Sequence, residues 1–197
     1  MGYHESLTEG RNAVLEAFRS GKTVDRLFVL DGCQDGPVKT ILREAKKQDT
    51  MVQYVKKERL DQLSETKNHQ GVIAYCAACE YAEVSDILEN AKKKGEAPFI
   101  VLLDGIEDPH NLGAIIRTAN QAGAHGVIIP KRRAVGLTAT VARTSAGALN
   151  YTPVAKVTNL VKTMEDLKKN GLWFVCADMD GDVMYDVNMK GPIGLVI

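Results

Sequence analysis

The clearest candidate for chemistry in this sequence is an arginine among apolar residues. Arg117 follows Ile115 and Ile116 in a stretch whose spacing predicts a helix. An arginine on such a helix usually has an anionic partner, and a guanidinium can hold a phosphate through two parallel hydrogen bonds. Six residues earlier, Asn111 offers an amide, but capping a helix that begins at Leu112 would also explain it. Arg117 is therefore the stronger functional candidate of the two.

Positive charge is concentrated in the middle of the chain. The whole chain balances 25 basic against 25 acidic side chains, yet residues 98–160 carry six basic and three acidic ones. This segment includes the run Lys131-Arg132-Arg133 and the isolated Arg143. A phosphate-bearing partner would be held here, although the run taken alone is more typical of a solvated loop after a strand.

A polar turn before a predicted strand offers a second group of candidates. Asn68, His69 and Gln70 can bond to nucleotide edges, and Gly71 lets a phosphate approach the backbone closely. A tight turn would use the same residues, and both interpretations stay open from the sequence.

Several familiar motifs do not occur. No strand is followed by Gly-x-Gly-x-x-Gly, and the sequence has no Walker A motif, Gly-x-Ser-x-Gly elbow or His-Glu-x-x-His helix. A nucleotide-dependent oxidoreductase is thereby excluded. We interpret the lone pair Cys76 and Cys79 as a chance spacing of buried cysteines and expect no metal. The segment 178–182 resembles a calcium loop but lacks its later Gly and Glu, which indicates a surface loop.

Helix and strand patterns alternate along the chain, which predicts an α/β fold with a mainly parallel sheet. We divide it into an N-terminal domain at 1–78, a polar linker at 79–97 and a second domain at 98–197; a crossover helix is the alternative for the linker. Parallel sheets bind ligands beyond the carboxyl ends of their strands. The polar loop 104–111, after the apolar strand 99–103, is therefore expected at the site.

Composition narrows the class of protein. Apolar residues make up 45% and charged residues 25%, which excludes disordered and fibrous chains. Four scattered cysteines do not fit a disulfide framework, and no run approaches the ~20 apolar residues of a membrane helix. We expect a cytoplasmic protein with no membrane partner. Because residues 193–197 form a buried-strand pattern with nothing after it, we also expect the natural chain to continue beyond Ile197.

Four blocks of the sequence resemble one enzyme family. Residues 108–119, Asp-Pro-His-Asn-Leu-Gly-Ala-Ile-Ile-Arg-Thr-Ala, resemble the first motif of the SpoU family of RNA ribose 2′-O-methyltransferases. Residues 144–148, Thr-Ser-Ala-Gly-Ala, are similar to its next shared block. Residues 10–14 and 68–72 resemble the small N-terminal substrate-binding domain of the ribosomal-RNA branch. The blocks occur in the family's order over nearly the whole chain.

The resemblance implies methyl transfer from S-adenosylmethionine to a ribose 2′-hydroxyl of RNA, not DNA. In the branch that the sequence resembles, the substrate is a guanosine of large-subunit ribosomal RNA. It further implies a homodimer whose catalytic domain is a trefoil-knotted SPOUT fold, with Arg117 and Asn111 catalytic and Ala177 and Asp178 beside the cofactor. The residues expected to contact RNA are Arg11, Asn12, His69, Gln70, Lys131, Arg132, Arg133, Arg143 and Ser145.

The chemistry makes this role for Arg117 sensible. A ribose hydroxyl is a poor nucleophile, and a guanidinium can orient a phosphate and stabilise negative charge growing on the attacking oxygen. Since an arginine proton acceptor would need a greatly depressed pKa, we expect electrostatic positioning and leave the proton acceptor unassigned.

One departure from the family limits these expectations. Its Gly-x-Glu-Gly loop and its Asn-rich third motif would follow Ile197. We therefore expect that residues 1–197 are truncated before the knot is complete and that this fragment alone is inactive. The alternatives are a methyltransferase acting on transfer RNA or on an antibiotic-linked ribosomal site, and a non-catalytic RNA-binding or ribosome-assembly protein.

Overall fold

The computed structural model describes residues 6–197, which form two compact units. The N-terminal unit consists of residues up to 80 together with 136–139, and the C-terminal unit of residues 81–135 and 140–197. No helix in the described part of the chain is long and apolar enough to cross a membrane.

The N-terminal unit is a four-stranded mixed sheet with helices on both faces. Its strand order is β1-β4-β2-β3, in which β2 and β3 are parallel and β4 is antiparallel to both of its neighbours. The elements are β1 Ser6–Glu9, α1 Arg11–Arg19, β2 Val24–Leu30, α2 Gly36–Lys47, β3 Met51–Val55, α3 Lys57–Leu63 and β4 Val72–Cys76.

Two apolar layers stabilise this unit. Leu27 and Val29 of β2 pack on one face with the buried side chains of α1 and α2. Phe28, which points to the opposite face, packs with Leu60 of α3 and Ile73 of β4. The alternation follows the two-residue period of a strand. Strand β1 was not predicted, because its four residues carry a single apolar side chain and it forms by pairing with β4.

One end of the N-terminal sheet gathers most of its loops. Since β1 and β2 are both antiparallel to β4, they run in the same direction, and β3 is parallel to β2. The carboxyl ends of these three strands therefore meet the amino end of β4. We call this region the loop end; it comprises residues 9–12, 31–36, 54–57 and 64–71.

The C-terminal unit has a five-stranded sheet that is parallel throughout, in the order β7-β6-β5-β9-β8. The prediction of an α/β fold with a parallel sheet is confirmed, and the final apolar run is a strand inside that sheet. The elements are α4 Val84–Lys94, β5 Phe99–Leu102, α5 Pro109–Gln121, β6 Gly126–Pro130, α6 Ala139–Thr144, β7 Val154–Val157, α7 Leu160–Lys169, β8 Trp173–Cys176 and β9 Ile193–Val196.

The segment predicted as a linker contains α4, whose Ile87 packs with Ile100 and Leu102 of β5 in the core of the C-terminal unit. Packing of this kind is typical of a crossover helix, the alternative interpretation of residues 79–97. The domain boundaries at 78 and 98, and the knot, stay predictions.

Candidate functional site

The start of α5 differs from the prediction in a way that matters for function. Asp108, not Asn111, caps the helix: its side chain accepts a hydrogen bond of 2.8 Å from the Asn111 backbone N–H, and Pro109 is the first helical residue. An aspartate followed by proline satisfies the free N–H groups at a helix start. Asn111 is therefore not the cap, the alternative explanation of this residue does not hold, and its exposed amide is available for another role.

A glycine fixes the position of α5. A Cβ atom on Gly113 would lie 1.9 Å from the Thr144 hydroxyl oxygen and 3.0 Å from the Ser145 backbone nitrogen. The Thr144 hydroxyl also donates to the Thr140 carbonyl at 2.9 Å. Only glycine permits this approach, so the contact joins the two blocks that carry the family resemblance and sets where the α5 side chains lie.

Arg117 is exposed and forms no ion pair or hydrogen bond with any residue that the structure describes. Its apolar neighbours Ile116 and Ala119 are on the buried side of α5, so the anionic partner expected for Arg117 is not a residue that the structure describes. Six residues of helix place it about 9 Å along the axis from Asn111. Helical side chains tilt toward the N-terminus, so Arg117 tilts toward the end of α5 where Asn111 lies.

The N-terminus of α5 lies at the carboxyl edge of the sheet, where neighbouring strands end together. The Asp104 N–H donates to the Ile197 carbonyl at 2.8 Å, joining the ends of β5 and β9, and the Ala177 N–H donates to the Val196 carbonyl at 2.9 Å, joining β8 and β9. We call this region, residues 103–111, 131–135, 177–182 and 197, the carboxyl edge. Ala177 and Asp178, predicted beside the cofactor, are exposed within it.

The basic run predicted to contact RNA belongs to the same edge. Lys131 follows β6, which lies beside β5, and its N–H donates to the Val157 carbonyl at 2.8 Å. Arg132 and Arg133 are exposed and form no ion pair among the described residues, and Arg133 has a left-handed φ of 56°. Unpaired guanidinium groups beside the α5 N-terminus favour a bound anion.

Two further predicted RNA contacts come from the block at 143–145. Arg143 is exposed, and its guanidinium donates to the Thr140 hydroxyl at 3.2 Å. Ser145 has no exposed surface, and its hydroxyl donates to the Ala142 carbonyl at 2.8 Å. The Ser145 hydroxyl is committed to the helix end and closed to a ligand in this conformation, and its contact with RNA stays a prediction.

The loop end of the N-terminal unit holds the remaining candidates, and Arg11 is its centre. Its guanidinium pairs with Asp35 and donates to the Gln70 carbonyl at 3.1 Å, while its backbone N–H donates to the Gln70 side chain at 3.2 Å. Arg11 is only partly exposed, whereas Asn12 and Gln70 are exposed. The predicted RNA candidates Arg11, Asn12 and Gln70 are thus brought together from distant parts of the sequence.

His69 has a structural role. Its side chain is buried, its Nδ1 accepts the Gly71 N–H at 3.0 Å, and its Nε2 therefore carries the proton and donates to Asp61 at 3.0 Å. Gln70 and Gly71 both have left-handed backbones, with φ of 49° and 83°. Both ring nitrogens hold the turn that presents Gln70, as the tight-turn interpretation expects, and a contact of His69 with RNA stays a prediction.

Sequence reasoning missed one residue that shapes this end. The Glu9 carboxylate accepts hydrogen bonds from the Ser64 hydroxyl, from the backbone N–H groups of Glu65 and Thr66 at 2.7 and 3.2 Å, and from the Thr66 hydroxyl. Burial acts to raise the pKa of Glu9, but these hydrogen bonds outweigh it and lower the pKa. Because the partners are about 55 residues away, no local pattern signals this role.

Comparisons with known protein families cover both units. The SpoU rRNA Methylase family matches residues 98–197, and the family described as RNA 2′-O ribose methyltransferase substrate binding matches residues 7–82.

Two bacterial relatives and two solved structures extend this likeness. A Bacillus subtilis protein named as a TrmH family tRNA/rRNA methyltransferase is 47% identical over 190 residues, covering 95% of this chain and 76% of its own. A Staphylococcus saprophyticus protein of the same name is 43% identical, covering 98% and 78%.

The fold is similar to that of the SpoU methyltransferase AviRb from Streptomyces viridochromogenes, crystallised with AdoMet (TM-score 0.53, 23% identity, 98% of this chain, 72% of that one). An AdoMet-bound rRNA methyltransferase from Sinorhizobium meliloti gives a TM-score of 0.51 at 23% identity, with coverages of 96% and 69%. The chain belongs to the SpoU, or TrmH, family of RNA methyltransferases.

Proposed function

We propose that this RNA methyltransferase modifies a ribose 2′-hydroxyl, and that its substrate is a guanosine of large-subunit ribosomal RNA. The observation that carries the proposal is Arg117, an exposed guanidinium with no described partner on the helix that begins at the carboxyl edge. The match to a substrate-binding family of ribose 2′-O-methyltransferases supports the ribose as the target.

The methyl donor of SpoU methyltransferases is S-adenosylmethionine, which supplies an electrophilic methyl group when bound. The described residues of the carboxyl edge fit part of such a ligand. Ala177, which follows β8 at this edge, is exposed and provides apolar surface for an adenine ring. The exposed carboxylate of Asp178 can accept hydrogen bonds from ribose hydroxyls. We propose that these residues border the cofactor.

In this proposal Arg117 binds the RNA phosphate next to the target nucleotide and stabilises negative charge on the 2′-oxygen as its proton leaves. The exposed amide of Asn111, at the N-terminus of the same helix, orients the ribose. Arg132 and Arg133 neutralise further phosphates, because they are exposed cations on a loop of the same edge. The N-terminal domain, 1–78, contacts RNA through Arg11, Asn12 and Gln70.

A competition experiment distinguishes ribosomal RNA from transfer RNA as the substrate. Total RNA from cells that lack the gene serves as substrate for the full-length protein with labelled S-adenosylmethionine, and the RNAs are then resolved by size. We expect label at one guanosine of the large ribosomal RNA. Label confined to transfer RNA would overturn the proposed substrate and support transfer RNA instead, which the relatives' names include alongside ribosomal RNA.

We further propose that the full-length protein is a cytoplasmic homodimer, as the family resemblance implies. Sedimentation equilibrium of the full-length protein at micromolar concentration checks the dimer. If the measured mass is that of a single chain and the protein still transfers methyl groups, the proposed dimer is contradicted.

A further inference from the structure

One aromatic side chain is left uncovered at the loop end. Tyr54, near the end of β3, is 58% exposed, and it is the one large hydrophobic side chain that is exposed among the described residues of the N-terminal unit. It has no ring contact, hydrogen bond or cation partner among those residues. Packing in the core of the unit therefore does not explain why an aromatic side chain occurs at this position.

Its place in the sheet brings it near the candidates for RNA contact. Tyr54 is the register partner of Val29, which pairs with Val72 on the other side. Strands are spaced about 4.8 Å apart, so Tyr54 is roughly 10 Å from the strand that follows Gln70. Its partner Val29 packs on the face that α1 and α2 cover, and α1 begins at Arg11 and Asn12. Tyr54 therefore shares the face and the end of the sheet with these residues.

Charged side chains of both signs lie around Tyr54, and the lysines among them are exposed. Lys56 and Lys57 follow within three residues, and Lys67 belongs to the same end; all three are exposed and form no ion pair with a described residue. Two exposed acidic residues, Asp31 and Glu65, belong to the same end, whereas Asp35 is paired with Arg11 and Glu9 is held by four hydrogen bonds. Exposed aromatic rings among free lysines are typical of proteins that bind single-stranded nucleic acid.

We propose that Tyr54 is a stacking residue for an unpaired base of the RNA substrate, with Lys56 and Lys57 binding its backbone phosphates. This rests on the proposed function, because it needs RNA at the loop end. A single exposed ring, followed at residues 56 and 57 by two exposed lysines, offers area for one base rather than for an apolar helix of a protein partner. A base in a duplex has no free face, so the preference is for a loop or bulge.

Binding of short RNA tests the proposal. The probe is a fluorescein-labelled single-stranded oligoadenylate of ten nucleotides, compared with the same strand in a duplex with oligouridylate. We expect Tyr54→Ala and Tyr54→Leu to weaken single-strand binding about tenfold, since stacking depends on the ring, and Tyr54→Phe to stay within twofold of wild type. Tyr151→Ala, which removes a 78% exposed tyrosine of the C-terminal unit, is the matched control and should change nothing.

A second measurement reports contact directly. Tryptophan emission of Tyr54→Trp, corrected for Trp173 with the wild-type protein, should be quenched by the single strand and not by the duplex. A Tyr54→Leu protein that binds like wild type, or a Tyr54→Ala protein that loses duplex binding equally, would overturn the proposal. Wild-type protein that binds neither RNA would overturn both this and the proposed function. If the wild-type protein transfers no methyl group to RNA while the Tyr54 variants still weaken single-strand binding, only the proposed function is overturned.

Discussion

The two candidate RNA surfaces of this protein are built in opposite ways. At the loop end of the N-terminal unit, Arg11, His69 and Glu9 are committed to hydrogen bonds within the fold. In the C-terminal unit, Arg132 of the carboxyl edge and Arg117 of the helix that begins there are exposed and without partners among the described residues. The first surface uses its arginine, histidine and glutamate to hold its own shape and keeps Tyr54 and the nearby lysines exposed, whereas the second leaves its guanidinium groups free.

The difference suggests a division of labour. A preorganised surface recognises shape, because its few free groups are held in place before the ligand arrives. Free guanidinium groups instead attract phosphates and can act on charge that develops during a reaction. Mutations should therefore affect folding and affinity at the loop end, and turnover and salt dependence at the carboxyl edge.

The largest effect is expected at Arg117. Replacing it with Ala or Lys in the full-length protein should lower the single-turnover rate of methyl transfer by about a hundredfold or more, since it removes stabilisation of developing charge. RNA affinity should change by less than tenfold. The control is Gln121→Ala, at an exposed position on the same helix. A normal rate in the Arg117 variants would contradict the assigned role.

The free cations of the basic loop should determine the salt dependence of RNA binding. Each phosphate contact contributes close to one unit to the slope of log affinity against log salt, so Arg132→Ala should reduce that slope by about one. Arg133→Gly removes a charge at a position whose φ of 56° glycine tolerates, so folding should be unaffected. Lys94→Ala, at the far end of α4, is the control; an unchanged slope in the two arginine variants would remove this loop from the interface.

Gly113 tests the packing that places the site. Alanine normally stabilises a helix relative to glycine by about 1 kcal/mol, but here its Cβ would meet Thr144 at 1.9 Å. We expect Gly113→Ala to lower the free energy of unfolding by about 1–3 kcal/mol and Tm by several degrees, measured by calorimetry. Ala114→Ser, exposed one residue later, should be nearly neutral. A more stable Gly113→Ala protein would show that α5 and Thr144 are not in this contact.

Glu9 gives the smallest effect, and it depends on pH. Because the folded protein lowers the pKa of Glu9 below its ordinary value of 4.5, its stabilisation is present above that pH and is lost as pH falls through the lowered value. Glu9→Gln should cost about 1 kcal/mol at pH 7 by urea unfolding, and wild type and variant should converge in acid. The exposed Glu16→Gln is the control. A gap that persists unchanged in acid would contradict the prediction.

The sequence predicted the parts of the site that depend on local pattern. The apolar strand at Phe99–Leu102, the helix that carries Arg117 and the parallel sheet follow from periodicity. The cap at Asp108 also follows a local pattern, an aspartate directly before a proline at the helix start. The burial of His69 and Ser145 could not be predicted in this way, because it arises from packing that no short motif encodes.

The most direct test is the position of the transferred methyl group. The full-length protein is incubated with RNA and S-adenosylmethionine carrying a deuterated methyl, and the RNA is then hydrolysed in alkali and analysed by mass spectrometry. A ribose 2′-O-methyl group blocks cleavage at its own phosphodiester, so we predict one alkali-resistant dinucleotide that begins with a labelled guanosine. Label on a base, with every linkage cleaved, would contradict the account.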